Sequence, residues 1–146
     1  MQSRRSWLRL ASLLGCSAVV AMTSSGCGGA PTRLVTVKSG AGQGPIELEV
    51  KNLTDVPINN LYLAKSTQVT DQLDPDSPAG QQVWGADLLP NAIARGSRVP
   101  VPVAGPGRWD ARVVDRDNRY QHVAGLKLEA GGRYILELNE GGWRMK

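Results

Sequence analysis

Ile46, Leu48 and Val50 alternate with Glu47, Glu49 and Lys51, and this two-residue period constrains the fold more than any other feature of the chain. Successive side chains of an extended strand point to opposite faces, so such a segment has one face to bury and one to leave in water. Related short stretches recur along the sequence. Arg33 to Ser39, Ile58 to Ala64, Trp109 to Asp115, Tyr120 to Leu128, Tyr134 to Asn139 and Trp143 to Lys146 all suit strands. Their connectors are Gly40 to Gly44, Asn52 to Pro57, Arg116 to Arg119, Gly131-Gly132 and Gly141-Gly142, rich in residues that tolerate positive φ. No segment shows a convincing helical period. The pattern predicts an all-β fold of seven or eight strands, a single antiparallel β-sandwich of immunoglobulin-like size, with a small β-barrel as the alternative.

The order of the strands suggests two local pairings. Ile46 to Lys51 and Ile58 to Ala64 read as a hairpin with Leu61 and Leu63 facing inward, and the four C-terminal strands read as a meander. Val99, Val101 and Val103 alternate with Pro100 and Pro102. Two prolines two residues apart remove the amides from one lateral side, so this strand is expected at a sheet edge. Ser66 to Gln82 is polar, contains proline and lacks periodicity. A connection of that length in a small domain is uncommon unless it has a use.

The N-terminus has a different character. Arg4, Arg5 and Arg9 precede a modest apolar run from Leu10 to Thr23, followed by Ser24-Ser25-Gly26-Cys27-Gly28-Gly29. The run is too short for the roughly 20 residues of a membrane-spanning helix. It resembles a bacterial lipoprotein export signal, which implies removal of residues 1–26 and lipidation of Cys27. Ser24 stands where lipoboxes usually have Leu, and Leu13-Leu14-Gly15-Cys16 is a competing match. Cleavage there would shorten the apolar run and leave Ala18 to Met22 at the mature N-terminus. Ser3-Arg4-Arg5-Ser6-Trp7-Leu8-Arg9 also resembles the twin-arginine export motif, the alternative to general export.

This reading divides the chain into an export signal over 1–26, a lipid-bearing flexible tether over 27–32 and a β-sandwich domain over 33–146. It also changes the charge balance. The whole chain has 17 basic and 13 acidic residues; the three arginines of the signal leave 14 against 13, a formal charge of +1 from Cys27 onward. That is no footprint for nucleic acid. With Cys16 removed and Cys27 acylated, neither of the two cysteines is left for a disulfide or a thiolate metal site.

Chemistry-bearing residues are sparse. His122 is the single histidine; it shares a strand face with Tyr120, Ala124, Leu126 and Leu128 unless Gly125 marks a bulge. Asp71, Asp74 and Asp76 read as a solvated acidic loop, with a calcium site as their alternative use. Asp115-Arg116-Asp117-Asn118 reads as a hairpin turn whose Asx side chains bond backbone amides, rather than as a second calcium loop. Arg108, Arg112, Arg116 and Arg119 would make an anion-binding stripe, but Asp110, Asp115 and Asp117 offset their field. Trp84, Trp109 and Trp143 suit core positions in a chain that has no Phe.

Leu61-Tyr62-Leu63, Trp84-Gly85-Ala86-Asp87-Leu88-Leu89 and Trp109-Asp110-Ala111-Arg112-Val113-Val114-Asp115-Arg116-Asp117 resemble segments of small secreted bacterial β-domains of uncharacterised function. The resemblance spans roughly residues 45–118. It implies a β-sandwich and carries no catalytic residue across.

These observations together lead to an envelope-anchored lipoprotein with a non-catalytic interaction role, requiring no cofactor. Its expected partners are the membrane, through the N-terminal lipid, and a protein or other cell-envelope component. Gly28 is not the Asp that retains many lipoproteins at the inner membrane, so the outer membrane facing the periplasm is the expected address. The binding surface is expected around Trp84, Asp87, Arg112, Asp115 and Asp117. A periplasmic ligand- or calcium-binding module using residues 66–89 is the alternative.

Overall fold

The computed structural model describes residues 29–70 and 72–146, so the expected export signal over 1–26, with Cys16, and also Cys27 and Asp71 lie outside the described residues. Eight strands form: β1 (Arg33–Lys38), β2 (Glu47–Asn52), β3 (Ile58–Lys65), β4 (Arg98–Val101), β5 (Gly107–Asp115), β6 (Arg119–Leu128), β7 (Arg133–Leu138) and β8 (Arg144–Met145). They make two four-stranded sheets, ordered β1-β7-β2-β4 and β3-β5-β6-β8. The architecture is an all-β sandwich, not a closed barrel. Among the described residues no helix is long and apolar enough to cross a membrane.

The alternation in β2 and β7 does what the pleat requires. Leu48 and Val50, like Tyr134, Leu136 and Leu138, turn into the space between the sheets, where they meet Leu61, Leu63, Trp109, Ala111, Val113, Leu126 and Leu128. Trp109 is therefore a core element, and Trp143 packs against the same core from a half-buried position. The edge assignment for the proline strand also holds. β4 pairs only with β2, placing Pro100 opposite Glu49 at the rim of its sheet.

Local pairing is where the sequence-based expectations fail. β2 and β3 lie in different sheets and do not form a hairpin. The 53–57 connection crosses between sheets, held by buried Asn52. Its Nδ2 donates to the carbonyls of Val56 and Ile93, both at 2.9 Å, and its Oδ1 accepts from the Thr54 amide at 2.9 Å and hydroxyl at 2.7 Å. The C-terminal meander fails likewise: β5 and β6 form a hairpin, β7 crosses to the other sheet, and β8 returns to pair with β6. The sandwich is not wholly antiparallel either, since β2 and β7 run parallel. β2, β3, β5, β6 and β7 still bury the apolar face their sequences dictate, whereas the outermost strands β1 and β8 contain no fully buried residue. Alternation sets which face is buried but says nothing about which neighbour supplies the hydrogen bonds.

Residues 66–82 are not a featureless loop. Ser66–Gln68 forms one 3₁₀ turn and Pro78–Trp84 forms a helix, α1. Ser77 caps α1 by accepting from the Gly80 amide at 2.9 Å, Pro78 opens its first turn, and Gly85 ends it at φ 72°. These are ordinary start and stop signals. The helix has seven residues and buries only Gly80 and Trp84 along it, too few for an apolar period.

Leu136 is fully buried at the centre of the core. Leu136→Ala is expected to destabilise the fold by about 2–5 kcal/mol through lost contacts and a residual cavity. The shift of the urea midpoint measures it, and a shift below about 1 kcal/mol would show that the site collapses without cost.

Candidate functional site

β5 is buried on both faces. Trp109, Ala111 and Val113 face the core between the sheets, whereas Asp110, Arg112 and Val114 face outward and are also buried. The cover is the 66–89 segment. Trp84 lies down on the outer face with Tyr62, Ala64 and Val114, while Val69, Leu73, Val83 and Tyr120 close around them. The Trp84 indole N–H donates to the Leu73 carbonyl at 2.8 Å, which ties α1 to the chain before it.

A polar arrangement sits beneath this cover. The Asp110 carboxylate accepts from Ser66 Oγ at 2.5 Å and the Gly125 amide at 2.9 Å, and lies 2.7 Å from His122 Nε2. The His122 and Asp110 side chains are both under a tenth exposed, and the Trp84 ring meets the imidazole edge-on at 5.7 Å between centroids. The Arg112 guanidinium lies over the Tyr120 ring, 3.9 Å from its centroid. Burial pushes the Asp110 carboxyl upward, but the hydrogen bonds from Ser66, Gly125 and His122 outweigh it, and its pKa ends below the ordinary value.

Gly125, at φ 71°, makes this possible. The β5–β6 register shifts between Trp109 and Ala111, and the extra residue lies in β6 beside Gly125. Before the bulge Gln121 and Val123 turn inward; after it Leu126 and Leu128 do. His122 consequently faces outward and does not share a face with Leu126 and Leu128. The bulge also directs the Gly125 amide to Asp110. The alternation of Trp109-Asp110-Ala111-Arg112 pointed to this outer face. What covers it left no signal beyond the length of the 66–82 connection.

The expected binding-surface residues do not gather on one surface. Trp84, Arg112 and Asp115 are buried. Asp115 is a turn element: its carboxylate accepts from the Arg119 amide at 2.8 Å and Nε at 2.7 Å, and Asn118 takes φ 62° beside it. Asp87 is half-buried and protects the β3 edge. Its carboxylate accepts from Leu61 N, Asn60 Nδ2 and Leu89 N at 2.8–3.0 Å, while Leu88 N donates to the Leu61 carbonyl at 2.9 Å. Asp117 alone of the five is exposed. The arginine stripe is broken as well, since Arg112 is buried and Arg119 pairs with Asp115 over the Trp143 ring.

Asp74 and Asp76 are engaged by Lys146, which bonds Asp76 and lies 3.5 Å from Asp74. Among the described residues no group of three or more His, Cys, Asp or Glu side chains could hold a metal ion. On the solvent side of the cover two adjoining depressions, about 390 and 270 Å³, share Tyr62, Pro75 and Asp76. Gln81 and Asp87 line the larger; Asn60, Asn118 and Lys146 line the smaller. Burial first, then the carboxylates of Asp87 and Asp76, raises the Tyr62 pKa. Compared with protein-family models, curated proteins and solved structures, the chain matches none.

The lowered pKa of Asp110 has a calculable sign. Its carboxylate adds stability above the ordinary unfolded value of about 4, and that contribution is lost as pH falls through the lower folded value. Asp110→Asn is expected to cost about 1–3 kcal/mol near neutral pH and to flatten the loss of stability in acid. Urea unfolding of both proteins across that range tests this; parallel pH profiles would contradict it.

Proposed function

We propose that this chain is an exported lipoprotein whose β-sandwich, anchored through lipid at Cys27, serves a non-catalytic binding role in the cell envelope. The observation that carries the non-catalytic reading is the order of contacts beneath the cover. A serine nucleophile needs its hydroxyl on the histidine that will take its proton. Here Ser66 donates to Asp110, and Asp110 stands between Ser66 and His122. The carboxylate thus joins the 3₁₀ turn, β5 and the β6 bulge, an arrangement suited to holding the cover down.

The binding surface is then the solvent side of the 66–89 segment, with its paired depressions around Tyr62, Pro75 and Asp76. Their polar rims suit a partner that exchanges hydrogen bonds and charge. The membrane address follows from the resemblance of residues 1–27 to a lipoprotein signal, and Gly28 makes the outer membrane facing the periplasm the preferred destination.

Two measurements test the reading. Cys27→Ser is expected to move the protein from the membrane to the soluble fraction; retention at the membrane would remove the lipid from the account. A photo-crosslinking residue at exposed Gln81 is expected to capture an envelope component, and Asp76→Ala to weaken that capture. Substitutions on the solvent side leave Trp84 and Asp110 in place, so loss of capture reports recognition rather than unfolding. Equal capture from positions across the domain would dismiss the 66–89 surface.

A further inference from the structure

The chain before β1 is fastened to the sandwich rather than hanging from it. The Gly141 amide donates to the Ala30 carbonyl at 2.9 Å, and Pro31 bridges to Gly141. Asn139 Nδ2 donates to the Pro31 carbonyl at 3.0 Å and the Asn139 amide to Thr32 Oγ1 at 3.1 Å. Thr32 Oγ1 in turn bonds buried Gln121, whose Nε2 donates to the carbonyls of Asn139 and Gly141 at 2.7 and 2.8 Å. The contact is close enough to require glycine on both sides. A Cβ on Gly141 would fall 2.4 Å from the Gly29 carbonyl oxygen, and one on Gly29 would fall 2.6 Å from Glu140 Cβ. The described part of the expected flexible tether therefore belongs to the domain.

Covalent geometry turns this clasp into a placement. Cys27 is two residues from Gly29, and extended chain spans at most about 3.6 Å per residue, so Cys27 cannot lie more than about 7 Å from the clasp. The same end of the sandwich carries the 53–57 connection, whose Asp55 amide donates to Glu140 Oε1 at 2.5 Å, and the 115–119 turn, whose Arg116 amide donates to the Pro57 carbonyl at 2.9 Å. At the opposite end lie the 40–44, 102–107 and 128–132 connections, joined by hydrogen bonds from Gly42 to Ala130 and from Glu47 to Gly132. The nine residues of β5 separate the two ends by about 30 Å at 3.3 Å per residue.

We propose that this end, built from residues 29–32, 53–57, 115–119 and 139–142, is a membrane-apposed surface that sits against the lipid headgroups. The proposal rests on lipidation at Cys27. Charge does not supply the apposition: Arg95 pairs with Asp55 at 2.6 Å, and Arg116 lies 4.0 Å from Asp117. The short covalent connection does, and it points the 40–44 and 128–132 end away from the bilayer. A partner of this domain is then met close to the membrane that carries it.

The test uses the full lipidated protein, with acylation of Cys27 checked by mass spectrometry, in phosphatidylcholine vesicles containing a headgroup spin-labelled lipid. A fluorophore is placed on Asp117→Cys at the near end or Ala104→Cys at the far end, both exposed positions. Quenching is expected to be several-fold greater at position 117, and to persist in high salt because a covalent connection is not screened. Inserting twelve Gly/Ser residues after Gly28, a flexible span of about 20 Å, is expected to bring the two positions close to equal. Acylated, vesicle-bound protein with equal quenching at both positions overturns the apposition while leaving the lipoprotein reading intact. Protein that carries no acyl group and does not float with vesicles overturns both.

Discussion

Burying both faces of β5 is the requirement around which the sheet β3-β5-β6-β8 is organised. The inner face is satisfied by the opposing sheet, as in any sandwich. The outer face presents Asp110 and Arg112, and a carboxylate taken out of water costs several kcal/mol unless hydrogen bonds replace the lost hydration. Ser66, Gly125 and His122 supply them. Each comes from a different place: the 3₁₀ turn that begins the cover, the bulge in β6, and the strand before that bulge. A single charged side chain thus couples the cover, the hairpin and the register shift, while Trp84 contributes the apolar area above it.

The same economy governs the sheet edges. Pro100 blanks β4, and the carboxylate of Asp87 together with the Leu88 amide occupies the exposed hydrogen-bonding groups of β3 at Leu61. Unpaired edges invite association with other chains, and both devices reduce the free hydrogen-bonding groups at these two edges without adding a strand. Asp87 and Asp115 are instructive as carboxylates that look functional in sequence and serve local structure in the fold. Each accepts from backbone amides that would otherwise be unpaired and from one neighbouring side chain, Asn60 for Asp87 and Arg119 for Asp115.

Function, on this view, belongs to two surfaces with different origins. The solvent side of the 66–89 segment offers depressions rimmed by Asp76, Gln81 and Asp87, because the segment commits Trp84 and its larger apolar neighbours Val69, Leu73 and Val83 inward. The clasp end is fixed in place by chain connectivity, since Gly29 and Gly141 approach at a distance that side chains would forbid. The proposed membrane apposition and binding role are compatible because these regions adjoin: Asn118 lies both in the 115–119 turn and on the rim of the smaller depression.

The strands, their buried faces, the edge position of β4 and the turn at Asp115 to Asn118 were legible in the sequence. Two-residue alternation, proline spacing and Asx chemistry act over a few neighbouring residues. The start and stop of α1 were written there too, at Ser77-Pro78 and Gly85, but seven residues of which only Gly80 and Trp84 are buried carry no period by which to notice them. The export-signal pattern, the charge balance and the lack of a cysteine pair for the domain are likewise properties of the sequence alone. Only the tertiary structure decided that β2 and β3 part company, that β7 runs parallel to β2, and that Trp84, Arg112 and Asp115 are buried instead of displayed. Those outcomes depend on hydrogen bonds and apolar contacts between residues far apart in the chain, which no local period encodes.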